Sequence, residues 1–223
     1  MCIRDSTGEV MAIGRGFEEA FLKAWSSLEY GTPHPRPLTM ADASGGETMD
    51  ERAAIPLDDA TLETWLSVPS DRRMAALFES FRRGWDIERV REISGGITRW
   101  FLHRFSTMAS IEAEIVEVGL SSDIEKIEED SIRRWKGYGF SDAHIVDAMN
   151  GFKPQLDALS VSEMTKHRHS LGIHPVFRMV DSCAAEFAAV TPYYYSTYEG
   201  GNASSGVDSC LLYTSDAADD CRC

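Results

Sequence analysis

The sequence predicts a mainly α-helical fold, with a small β–α piece on its N-terminal side and extended segments near its C-terminal side. Three observations carry this prediction. Apolar residues recur every three or four positions through most of residues 57–172, Ser or Asp stands just before several of these runs, and glycine stands just after most of them. Hydrophobic residues make up 43% of the 223 and charged residues 26%, a globular balance with enough apolar material for a core.

Taken in order, Thr7 to Ile13 reads TGEVMAI, rich enough in Val and Ile to be expected as a short strand, and Gly14 and Gly16 break it. Phe17, Ala20, Phe21, Ala24 and Leu28 then fall at helical spacing, with Gly31 as a stop. One strand-and-helix unit cannot bury itself, so residues 7–29 read as the tail of a larger domain. Residues 30–56 carry Pro33, Pro35, Pro37, Gly45, Gly46 and Pro56 without periodicity and are expected to be a linker.

Helical signals begin after Pro56. Asp58 or Asp59 is placed to cap a helix with Leu62, Trp65 and Leu66. Ser70 precedes Met74, Leu77, Phe78 and Phe81, and Gly84 ends that run. Asp86 caps Ile87, Val90 and Ile93, closed by Gly95 and Gly96. Thr98 opens the longest helix, expected to place Phe101, Leu102, Phe105, Met108, Ile111, Ile115 and Val118 on one side before stopping at Gly119. The pattern resumes through Ile124, Ile127 and Ile132 to Trp135 and Gly137, and Ser141 caps Ala143 to Met149 ahead of Gly151. Ser160 and Glu163 have the spacing of a capping box, for a helix ending near Gly172. Helices this short depend on packing of their apolar faces, so residues 57–172 are expected to be one helical domain of about seven helices. Beyond it, His174–Val180 and Tyr193–Tyr198 are β-prone and separated by Pro192, giving an extended exit segment over 173–199.

The two ends differ from the body. MCIRDS at residues 1–6 and the stretch from 200 to 223, which contains CLLYTSDAADD, show no sustained period and resemble strings that end unrelated environmental reading frames. Residues 1–6 are expected to be a non-native end and 200–223 a non-native or disordered tail; where the ends are non-native, the protein is expected to continue past them.

Charge and cysteine usage narrow the class. A formal net charge of −14 repels phosphate backbones and anionic lipid, which counts against nucleic-acid and membrane roles. No apolar run is long enough for a membrane helix, and charge at Arg4 and Asp5 leaves no room for a signal peptide. Of five cysteines only Cys183 lies in the body, which is no disulfide framework and suits a reducing, cytoplasmic setting.

Candidate chemistry is thin. His167, His169 and His174 cluster, yet His167 and His169 lie about 200° apart around a helix, so solvation at a helix end outweighs metal binding. Cys221 and Cys223 lack a second ligand pair. Cys183 with His174 and Asp181 can be drawn as a nucleophilic triad, but a thiol beside Ala184 and Ala185 is better read as a small buried hydrophobe. Arg82-Arg83 and Arg133-Arg134 can be drawn as a helix-turn-helix contact with phosphate, against which stand the acidic residues of Glu125–Asp130. Asn202 begins a glycosylation sequon by pattern only. Gly14-Arg15-Gly16 matches neither a phosphate loop nor a dinucleotide fingerprint.

Several strings go further. Ser6–Arg15 (STGEVMAIGR) resembles the signature that ends the first ATP-using domain of carbamoyl-phosphate synthase large chains. Phe81–Trp85 (FRRGW) and Trp100–Leu102 (WFL) resemble landmarks of the helical domain that follows it in that family. Gly137–Ala143 (GYGFSDA) is similar to its GFSD element, and Gly172–Phe187 followed by Tyr193–Glu199 (YYYSTYE) to the strings that lead into the second ATP-using half, with Ser182 at a usual threonine. The order and spacing agree over residues 7–199.

The resemblance implies a fragment of the large chain: residues 7–29 as the tail of the carboxyphosphate-synthesising ATP-grasp domain, and 57–172 as the oligomerisation domain. It implies an ATP-dependent ligase that forms carbamoyl phosphate from bicarbonate, ammonia taken from glutamine, and ATP, for arginine and pyrimidine biosynthesis. ATP and Mg or Mn are implied for that whole enzyme and none for this region, which serves assembly and links the two halves. Implied partners are the rest of the large chain, a glutaminase small subunit and a second copy of the helical domain, with no nucleic acid and no membrane. One site residue carries over, Glu9 of GEVM, as a lining of the passage for carbamate; no catalytic, cofactor-binding or metal residue does. The alternatives on the residues alone are a free-standing acidic helical interaction module and a helix-turn-helix regulator.

Overall fold

The computed structural model describes residues 10–28, 32–43, 55–121, 124–152, 158–180 and 193–198. Among these, nine α-helices run in order: α1 (Phe17–Ser26), α2 (Met40–Ala43), α3 (Asp59–Ser67), α4 (Arg73–Arg82), α5 (Ile87–Ile93), α6 (Arg99–Ser121), α7 (Glu129–Gly137), α8 (Asp142–Met149) and α9 (Val161–Ser170). A 3-10 turn, Ile124–Lys126, precedes α7. Strands β1 (Val176–Val180) and β2 (Tyr193–Thr197) pair antiparallel, from Val176 opposite Thr197 to Val180 opposite Tyr193. The fold is therefore mainly helical with a minor two-stranded sheet.

Local chemistry sets the helix starts. The Asp58 carboxylate accepts the Thr61 amide at 2.8 Å, Asp86 accepts the Glu88 amide at 2.9 Å, and Ser141 Oγ accepts the His144 amide at 3.0 Å. At α9 the capping box closes both ways: Ser160 Oγ accepts from the Glu163 amide at 3.3 Å, and the Glu163 carboxylate accepts from the Ser160 amide at 2.9 Å.

The chain divides into two compact units, residues 35–117 and residues 1–34 with 118–223. In the 35–117 unit, α3, α4, α5 and most of α6 bury Leu62, Leu66, Leu77, Phe78, Leu102 and Phe105. The segment expected to be linker contributes structure here. Leu57 N–H donates to the Leu38 carbonyl at 3.0 Å, Met40 N–H donates to the Ile55 carbonyl at 2.9 Å, and Leu38 and Leu57 are both buried. In the other unit, α1 and α7 to α9 bury Leu22, Trp25, Trp135, Phe140, Ile145 and Met164.

Three sequence expectations change. Of the strand expected over Thr7–Ile13, residues 7–9 lie outside the described residues and Val10 to Ile13 forms no strand: among the described residues the ladder is β1 with β2, and a strand needs a partner for its backbone groups. Gly119 does not stop α6, which continues to Ser121. A Cβ on Gly119 would lie 2.5 Å from Met149 Cα, so the glycine is there for a close approach of backbone rather than a helix end. Phe101, expected on the buried side of α6, is 43% exposed beside Trp100 at 48%.

Candidate functional site

Three of the landmark strings of the sequence meet at one buried carboxylate. Asp142, the first residue of α8, is fully buried and accepts from three side chains. Lys136 Nζ of α7 donates to its Oδ1 at 2.9 Å, and Thr165 Oγ1 of α9 donates to its Oδ2 at 2.8 Å. The Arg168 guanidinium of α9 reaches both oxygens, with Nη2 2.9 Å from Oδ2 and Nε within 3.1 Å of Oδ1. Lys136 and Arg168 are also fully buried. Arg168 Nη1 then donates to the Ile173 carbonyl at 2.9 Å, joining the network to the segment that enters β1.

In so dry a place each ion costs several kcal/mol to desolvate. Tyr198 offsets part of it. Lys136 Nζ lies 4.7 Å and Arg168 Cζ 5.4 Å from the centre of its ring, whose face is electron-rich. Asp142 comes from the GFSD string, Ile173 from the string opening at Gly172 and Tyr198 from STYE, so all three strings end at one charge cluster.

A second network ties the N-terminal string to the same unit. Lys23 of α1 spends all three ammonium protons: on Glu19 Oε1 at 2.8 Å, on the Ile13 carbonyl at 3.1 Å, and on the Ser196 carbonyl of β2. Glu19, 2% exposed, takes the Arg15 amide on its other oxygen at 2.7 Å. Gly139 makes the approach possible: at φ +92° it lies where a Cβ would come within 2.6 Å of Glu19 Cα.

The other candidates are placed as follows. Glu9, Asp181, Cys183, Asn202 and the terminal cysteines lie outside the described residues. His167 is half-buried and His169 exposed, and it is His174 that meets His169, with ring centroids 4.8 Å apart. Among the described residues no three His, Cys, Asp or Glu side chains converge as metal ligands, and no helix is long and apolar enough to cross a membrane. Arg82 and Arg83 turn inward. Arg82 pairs with Glu112 and Glu79, each at 2.9 Å, and Arg83 with Glu79 at 2.8 Å and Asp59 at 2.7 Å. Burial alone would lower both arginine pKa values, but these carboxylates outweigh it and raise them. Arg133 pairs along α7 with Glu129.

Lys136, Arg168, Glu19 and Lys23 escaped the sequence reading. Asp142 and Arg168 are 26 positions apart, so nothing local pairs them. The one available signal was Lys136 directly after the core residue Trp135, a cation at a position too apolar for solvent.

Comparison with known proteins gives one consistent picture. The family model described as carbamoyl-phosphate synthetase large chain, oligomerisation domain, matches residues 9–172. The chain is similar to the carbamoyl phosphate synthase large chain of Methanothrix thermoacetophila, 38% identical over 87% of this chain and 15% of that one. It is also similar to the large chain of Thermotoga neapolitana, 36% identical over 87% of this chain and 14% of that one. The chain thus spans about one seventh of the length of these relatives.

Proposed function

This chain belongs to the carbamoyl-phosphate synthetase large-chain oligomerisation-domain family, and on that premise we propose that it serves assembly by self-association. One observation supports this reading most directly. Trp100 and Phe101, at the start of α6, are 48% and 43% exposed and meet edge to face with centroids 5.0 Å apart. Arg104 lies 5.0 Å over the Trp100 ring. Exposed aromatic residues beside an arginine are the composition of interface centres rather than of solvated surface. Sedimentation velocity of the 223-residue chain across a concentration series is expected to show a reversible oligomer, and Trp100→Asp to shift it to monomer. A strict monomer at every concentration would remove self-association. The second reading, a free-standing acidic interaction module, rests on the same patch and predicts that monomer.

For the whole enzyme we propose ATP-dependent formation of carbamoyl phosphate from bicarbonate and ammonia taken from glutamine, serving arginine and pyrimidine synthesis in the cytoplasm. ATP with Mg or Mn supplies the phosphoryl transfer there, and a glutaminase subunit the ammonia. The resemblance assigns none of those steps to a residue of this chain, whose part is to connect the two ATP-using halves. Glu9 keeps its proposed place along the carbamate passage. The isolated chain is expected to form no carbamoyl phosphate, and a coupled assay detecting turnover would overturn that.

A further inference from the structure

We infer that Asn150 is a guarded site of spontaneous deamidation, held unreactive by a clamp on the backbone of Leu159. Of the two asparagines only Asn150 precedes a glycine, whose nitrogen is the least hindered because the residue has no Cβ. The reaction needs no partner but water. The Gly151 nitrogen, deprotonated by hydroxide, attacks Asn150 Cγ. The new C–N bond closes a cyclic imide as the Cγ–NH2 bond breaks and ammonia leaves. Water then adds to either imide carbonyl and opens the ring, giving aspartate or its β-linked isomer.

The turn after α8 blocks this chemistry at each step. The side-chain amide is clamped at both ends: Nδ2 donates to the Leu159 carbonyl at 3.0 Å, and Oδ1 accepts the Leu159 amide at 3.2 Å. The nucleophile is engaged as well, because the Gly151 N–H donates to the Ala148 carbonyl at 2.9 Å as part of the helix ending. Ring closure also requires Cβ and the Gly151 nitrogen to eclipse about the Asn150 Cα–C bond. At ψ 4° it is the Asn150 nitrogen that eclipses it instead. Cyclisation therefore waits for an opening that releases the amide, the Gly151 N–H and ψ together. The same turn carries a reason to open: Gly151 at φ 65° is followed by Phe152 at φ 55°, where a bulky residue is strained. The product cannot close again. An aspartate at 150 offers the Leu159 carbonyl an oxygen in place of a donor, and the isomer adds a backbone carbon to the turn. Each conversion makes one opening permanent, at the pair that ties the end of α8 to the residues just before α9.

Peptide mapping by mass spectrometry of the 223-residue chain, incubated at mildly alkaline pH, tests the assignment. In urea Asn150 is expected to convert to aspartate and its isomer, and in buffer to convert more slowly by roughly tenfold or more. Equal rates would overturn the guard, and an intact Asn150 in urea would overturn the site. Leu159→Pro removes the amide that Oδ1 accepts and should bring the rate in buffer toward the rate in urea; an unchanged rate would overturn the clamp. If that variant does not fold, the unaltered chain decides. Across low urea concentrations, conversion of Asn150 should rise in step with hydrogen exchange of the Gly151 amide, and conversion that stays flat while exchange rises would overturn the gate.

Discussion

Asp142 and Glu79 each gather two cations, yet the two clusters are built differently. Around Asp142, the carboxylate faces Lys136 and Arg168, and all three side chains are fully buried. Around Glu79, three carboxylates (Glu79, Glu112 and Asp59) face Arg82 and Arg83, whose side chains keep 16% and 20% of their exposure. In the second cluster a lost carboxylate leaves others within reach and water close by. In the first, no member of the trio is open to water. The contrast shows that the nearness of solvent, rather than the count of ion pairs, decides how much a fold depends on a buried charge.

The largest expected effect follows directly. Asp142→Ala removes a buried carboxylate shared by two buried cations and should cost about 3–5 kcal/mol in chemical denaturation, enough to prevent folding of a marginal domain. Glu112→Ala removes one of several acceptors and should cost about 1–3 kcal/mol. Equal losses at the two sites would break the comparison.

Next come the glycines. Gly119→Ala should gain about 1 kcal/mol on helix propensity alone. With Met149 backbone 2.5 Å from the new Cβ, the net result should instead be a loss of about 1–3 kcal/mol. A net gain would restore the reading of Gly119 as a mere helix stop.

The smallest effects belong to the exposed caps. The backbone amide and hydroxyl of Thr61 hold the Asp58 carboxyl below its usual range, and the Ser160 hydroxyl and amide do the same for Glu163. Each group contributes stability above the ordinary carboxylate pKa of about 4, and that contribution is lost as pH falls through the lower folded value. Asp58→Asn keeps a good cap but no titrating charge. Its melting temperature should match the parent's at neutral pH and fall less steeply below about pH 4. Parallel curves would refute the assignment.

What the sequence could show depended on distance along the chain. Asp58, Asp86, Ser141 and the Ser160–Glu163 box were readable because a cap and the amide it serves lie two or three residues apart. The periodicity of α6 located Leu102, Phe105 and Met108 in the core, but could not tell that the stripe leaves Phe101 outside. The GFSD and STYE strings marked a family without revealing that Asp142 and Tyr198 share a charge cluster. Gly119 and Gly139 looked like punctuation because their reason, an approach by Met149 or by Glu19, lies far off in sequence.

One turn of α1 is gripped from two sides. A Cβ on Gly14 would come within 2.7 Å of Ala20 N, and one on Gly139 within 2.6 Å of Glu19 Cα. A protein engineer wishing to excise the helical region by cutting in the 30–56 stretch would therefore discard a fitted part. The groove left by Gly139 would open to solvent, and the Ser196 carbonyl would lose the Lys23 ammonium that now serves it. A durable excision has to begin upstream of Gly14, taking the first helix along with the body it is wedged into.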